Sequence, residues 1–84
     1  MPRFYFDISD GSRESLDEEG TEFADLAAAC DEAVAVLPAI AASEGRAQTD
    51  REIVAIVRDE GGAKLFRARL SVTREVLGAD SEIA

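Results

Sequence analysis

The chain has 84 residues, with 18 Asp or Glu against 9 Lys or Arg, a net charge of −9, one cysteine and no histidine. This length supports one domain with a modest core, and the missing histidine removes the nucleophilic triad, the usual zinc set and the commonest general base. Cys30 alone excludes an internal disulfide, and no apolar run approaches the roughly 20 residues of a membrane span.

Residues 3–9 alternate, with Phe4, Phe6 and Ile8 on one side and Arg3, Tyr5 and Asp7 on the other. A period of two marks a strand, and Asp10-Gly11 ends it with turn residues. Residues 13–17 predict a shorter returning strand whose only large apolar residue is Leu16. Asp17-Glu18-Glu19-Gly20 then reads as a loop leading to Phe23, which is placed to fold down onto the entrance of the next element.

Residues 25–44 predict one amphipathic helix. At about 100° per residue, Leu26, Ala29, Cys30, Ala33, Val34, Val36, Leu37, Ile40 and Ala41 fall on an arc of roughly 160°. The alanines favour the helix because they lose no side-chain entropy. Asp25 is a candidate N-cap, and Gly45 sits where a left-handed C-terminal residue is wanted. Pro38 removes a donor and crowds the Val34 carbonyl. A kink is expected there rather than a break, since Ile40 and Ala41 continue the same stripe. Cys30 lies on the apolar arc and reads as a small hydrophobe.

After a polar loop, residues 53–57 form an unbroken apolar run, Ile-Val-Ala-Ile-Val, which predicts a strand covered on both faces. Asp59-Glu60-Gly61-Gly62 predicts a type I turn with Gly62 last. Residues 63–72 predict a final strand, with Phe66, Ala68, Leu70 and Val72 opposite Leu65, Arg67, Arg69 and Ser71. Its register stays open, because different loop lengths turn opposite faces inward. Residues 1–72 thus predict a single α+β domain, and residues 73–84 a weakly ordered C-terminal tail.

The element order is β-β-α-β-β. A helix between the second and third strands requires those two to run parallel. Placing the first strand between them makes every neighbour antiparallel, giving a four-stranded sheet of order 2-1-3-4 with the helix on one face. The other face is then left bare. Tyr5, Val54, Ile56 and Leu65, with Arg67 and Arg69 at the rim, are the candidate interface residues, and a homodimer is the expected partner state.

Met1-Pro2-Arg3-Phe4-Tyr5-Phe6, Asp10-Gly11, Asp17-Glu18-Glu19-Gly20, Asp25-Leu26 followed by Ala29, and Arg58-Asp59-Glu60 before Gly62 resemble a family of short bacterial proteins known only as a domain of unknown function. The resemblance runs to about Leu70. It implies a cytoplasmic single-domain protein and carries over no catalytic residue. A looser likeness links the chain to the antitoxin partner of certain toxin–antitoxin pairs.

Chemistry has few carriers. Asp17, Glu18 and Glu19 share a loop that could hold a hard cation, but the calcium-loop spacing fails: aligning Gly11 with the invariant glycine puts Phe6 and Ile8 at ligand positions. Gly61-Gly62 precedes a strand rather than a helix, which disfavours a phosphate cradle. Lys64, Arg67 and Arg69 are interleaved with Phe66, yet Phe66 points to the opposite side, so no basic stacking surface results and nucleic acid is disfavoured.

No catalytic, cofactor or metal residue is assigned, and the expected role is binding. The first reading is a self-associating interaction module of unknown function in the cytoplasm. An antitoxin-like regulator of an electropositive partner, or a carboxylate-based enzyme, are the alternatives. The charge distribution suits the first two, because every charge from residue 14 to residue 44 is acidic.

Overall fold

The alternation over residues 3–9 becomes β1 (Arg3–Ser9), whose Phe4 is buried on one side. A computed structural model describes residues 1–11, 13–44, 50–73, 75, 77 and 78. After β1 come β2 (Glu14–Ser15), β3 (Thr21–Glu22), the helix α1 (Leu26–Glu44), β4 (Asp50–Arg58) and β5 (Lys64–Thr73). The fold is α+β, an antiparallel sheet of order β2-β1-β4-β5 with the helix on one face. The two most apolar strands, β1 and β4, lie in the middle, as their composition requires.

The edge beside β1 differs in detail from the expectation. The returning strand shrinks from residues 13–17 to Glu14–Ser15, paired with Ser9 and Ile8. The loop after it contributes β3, which pairs Glu22 with Arg3 and Thr21 with Phe4. Two residues carry no readable period, so tertiary pairing rather than propensity makes this strand. Gly20 makes the return possible. Its φ of +72° is left-handed, and a Cβ there would stand 2.8 Å from Arg3 Cγ and 2.9 Å from Tyr5 Cε2.

Asp25 caps α1 as its chemistry suggests, accepting the Ala28 N–H on Oδ1 at 2.9 Å. The helix continues through Pro38, which lies on its exposed side where water can satisfy the freed carbonyl. Ala29, Ala33 and Leu37, spaced four apart, are buried against Ile53, Ala55 and Val57. The small alanines let the helix axis approach the sheet closely. The buried stripe is narrower than the expected arc: Val34 is 51% exposed and Leu26 38%. Val34 sits at the arc's edge, and Leu26 lies in the first turn. Phe23 folds down as expected, but its target is β1: it stacks on Phe6 at 5.7 Å between ring centroids and tilts against Phe4. Gly45, the expected left-handed residue after α1, and Val76 and Ile83, apolar residues of the expected tail, lie outside the described residues.

The β4–β5 turn settles the open register. The Gly62 N–H donates to the Asp59 carbonyl and the Asp59 N–H to the Ala63 carbonyl, each at 3.0 Å, while Gly62 takes φ +92°. This is a type I turn followed by a glycine bulge, closed by the Asp59 carboxylate on the Gly61 and Ala63 amides. Val57 then pairs with Phe66 and Arg58 with Lys64, leaving Leu65 as the extra residue. Phe66, Ala68 and Leu70 pack toward the helix, and Arg67 and Arg69 toward the bare side. Among the described residues no helix is long and apolar enough to cross a membrane.

Leu37 should therefore dominate the helix–sheet contact. Leu37→Ala is expected to cost about 2–5 kcal/mol, whereas Val34→Ala should stay within about 0.5 kcal/mol. Urea denaturation of the two variants checks this, and equal losses would mean that α1 packs on a different line.

Candidate functional site

The bare face is built by alternation. Tyr5 and Asp7 on β1, Val54, Ile56 and Arg58 on β4, and Arg67 and Arg69 on β5 all point away from α1. Every residue expected at the interface is on this side or, for Leu65, at its bulged margin. Val54 and Ile56 are half-buried and Leu65 is 42% exposed. Arg69 Nε lies 3.6 Å from Glu52 Oε2, with both side chains about half exposed. Among the described residues Arg67 has no carboxylate within ion-pair distance.

One end of this face holds a group that sequence reasoning missed. Asp7 is 8% exposed, unusual for a carboxylate. It receives Arg58 in a two-point contact, Nε to Oδ2 at 2.6 Å and Nη2 to Oδ1 at 3.2 Å. Arg58 Nη2 also donates to the Asp17 carbonyl at 2.7 Å, and its guanidinium lies over the Tyr5 ring, 4.9 Å from the centroid. The Nε and Nη2 groups and one face of Arg58 are thus committed to the fold.

Asp17 is the second half of the knot. Its N–H donates to Asp7 Oδ1 at 3.0 Å. Its carboxylate accepts the Phe6 N–H at 3.1 Å, the Glu19 N–H at 3.1 Å and the Gly20 N–H at 3.0 Å. The acidic loop is accordingly no set of equivalent solvated carboxylates: Glu18 and Glu19 are exposed, but Asp17 is spent on backbone amides. Among the described residues no group of three or more potential ligands is arranged to hold a metal. Arg3 finishes the loop by donating to the Glu19 carbonyl at 2.9 Å and pairing with Glu22 at 3.3 Å.

These contacts set the electrostatics. Burial alone would raise the Asp7 carboxyl, but the Arg58 hydrogen bond, the Asp17 amide and the Arg58 charge outweigh it and hold it below its ordinary 3.8. Asp17 is likewise lowered: burial opposes ionisation, and the Gly20, Phe6 and Glu19 amides overcome it. Arg58 is raised, mainly by its bond to Asp7. Burial pushes the Cys30 thiol up, aided by the Asp31 charge, so the half-buried sulfur stays a poor nucleophile. An open hollow lined by Ile8, Asp10, Arg13, Glu14, Ser15 and Ile40 separates the first hairpin from α1.

Asp17→Asn should cost about 1–3 kcal/mol at neutral pH, because an amide cannot replace both acceptor oxygens, whereas Glu18→Gln should be neutral. A carboxyl lowered in the folded chain stabilises it above the unfolded value of 3.8, and that advantage fades as pH falls through the folded value. The gap between wild type and Asp17→Asn should therefore stay constant down to about pH 5 and narrow below it. Urea midpoints across this range check the sign; a gap that widens in acid would contradict it.

The comparisons with known proteins add a family and nothing finer. Comparison with curated proteins and with solved structures gives no match. The family described as Domain of unknown function (DUF6894) matches residues 3–71, from the first residue of β1 into β5, and the chain belongs to that family.

Proposed function

We propose that this domain is a small acidic, non-enzymatic interaction module of the cytoplasm that associates with a second copy of itself through the bare face of its sheet. The observation that carries this reading is the composition of that face. Val54 and Ile56 make an apolar centre with Leu65 at its bulged margin, Tyr5 adds an aromatic flank, and Arg67, Arg69 and Glu52 form an ionic rim. An apolar centre with a charged rim is the usual anatomy of a protein contact. A two-fold operation would place like against like at the centre and let rim arginines reach carboxylates of the second copy.

The absence of enzymatic activity belongs to the same proposal. Its support is that Asp7 and Asp17, the carboxylates lowered by their surroundings, have their oxygens engaged by Arg58 and by backbone amides. A second reading draws on the other side of the molecule. Glu18, Glu19, Asp31 and Glu32 are exposed there, which favours an electropositive protein partner of the antitoxin type.

Light scattering at micromolar concentration tests the first reading. The wild type should have a dimer's mass or more, and Ile56→Asp, which buries a charge at the centre of the contact, should lower it. A wild-type monomer, or a mass unchanged by Ile56→Asp, would remove the face contact.

A further inference from the structure

The two edges of the sheet are finished differently. The outer edge of β1 is closed along its length: β2 pairs at Ile8 and Ser9, β3 at Arg3 and Phe4, and the Asp17 carboxylate caps the Phe6 N–H between them. The Phe23 N–H extends the closure to the Pro2 carbonyl at 3.0 Å. At the other edge, β5 runs for 10 residues, and among the described residues no segment pairs with its outer side. A strand left open in this way is a template for another strand.

The backbone phase follows from Phe6. Its N–H turns outward to Asp17, so the Phe6–Val57 pair exchanges no hydrogen bonds, and Val57 directs its own groups toward β5. Ala55 and Ile53 do likewise. Opposite them, Phe66, Ala68 and Leu70 bond to β4, and Arg67, Arg69 and Ser71 turn N–H and C=O to the open edge.

We propose that this edge pairs with the same edge of a second copy, antiparallel about a two-fold axis at Leu70, to make one continuous sheet. This contact lies beyond the bare face and does not depend on it. The side chains select the register. Centring the axis on Arg67, Ala68 or Arg69 sets arginine directly against arginine, which is destabilising. Centring it on Phe66 runs the ladder into the bulge at Leu65. At Leu70, Arg69 lies opposite Ser71, Arg67 opposite Thr73, and Ala68 opposite Val72, with Leu70 meeting its own copy. The regular ladder ends at the Arg67–Thr73 pair, because the bulge at Leu65 lies next. From there the exposed Glu75 of the second copy comes within side-chain reach of Arg67, which among the described residues has no carboxylate at ion-pair distance. Arg69 lies diagonal to its copy but has Glu52 at 3.6 Å. The half-buried row Phe66, Ala68, Leu70 and Val72 gains cover on its open side.

Three readouts test the register. In a Cys30→Ala background, Leu70→Cys should form an intermolecular disulfide under mild oxidation, because the pair that exchanges no hydrogen bonds brings its Cβ atoms within disulfide reach. Ser71→Pro removes only an outward N–H and should abolish that cross-link while circular dichroism stays unchanged. Arg67→Glu should weaken association roughly ten-fold, through two inverted pairs per dimer, and the swap R67E/E75R should restore it. The same disulfide is expected in Ile56→Asp protein. Cross-linking there, together with a wild-type mass indifferent to Ile56→Asp, would remove the face contact and keep the edge. No Leu70→Cys disulfide, or a charge swap that fails to rescue, would overturn the edge contact whatever the face does.

Discussion

The bond between Arg58 and Asp7 joins residues 51 apart in sequence and fixes the middle of the sheet. Asp7 is carried by β1 and Arg58 ends β4, so the pair holds the two central strands in one register. Through the Asp17 carbonyl and amide it also ties down the loop that closes the first edge. A charge so little exposed is tolerated only when its oxygens are filled. Arg58 and the Asp17 amide fill them, which makes the loop's conformation a condition for the strand's. Gly20 belongs to the same condition, since any side chain there would displace Arg3 and Tyr5.

Economy of core follows from the small size of the chain. The fully buried set is short, and two of its helix members are alanines. With few large side chains inside, polar closure at the sheet edge and aromatic cover from Phe23 take a larger share in defining the structure. That division explains why, among the described residues, nothing covers one face and one edge: a single helix reaches only one side of the sheet, and the first edge consumes the whole segment between β1 and α1.

Much of the fold was legible in the residues because it is local. The alternation of β1, the Asp25 cap, the alanine-rich helix and the glycine turn after Asp59 each announce themselves within a few positions. Strand order followed from chain direction and composition. What stayed hidden depends on distant partners. Asp7 looks like an ordinary outward residue of an alternating strand, and Arg58 like a charge beside a turn. Asp17 is indistinguishable from Glu18 and Glu19 until its side chain meets Phe6 across the edge. The one hint was length: an aspartate reaches a neighbouring backbone amide more readily than a glutamate does. Alternation alone separates Tyr5 from Phe4 and Phe6, but which residues of β4 and β5 share its side depends on the β1–β4 register and the hairpin bulge, which put Val54 and Ile56 there and leave Leu65 at the margin.

The position of β1 between two elements of very different sequence distance has a kinetic meaning. The β4–β5 hairpin closes a short loop, β2 folds back on β1 within a few residues and β3 within about twenty, so each half can form early. The seam between β1 and β4 must wait for the whole helix to be traversed, which loads the contact order of the domain onto one ladder. Docking of that seam is then the step at which the chain commits to its native topology. Until it occurs, the aromatic strand Phe4-Tyr5-Phe6 keeps one side unpaired, and the rate at which β4 arrives sets how long that surface is open to other chains.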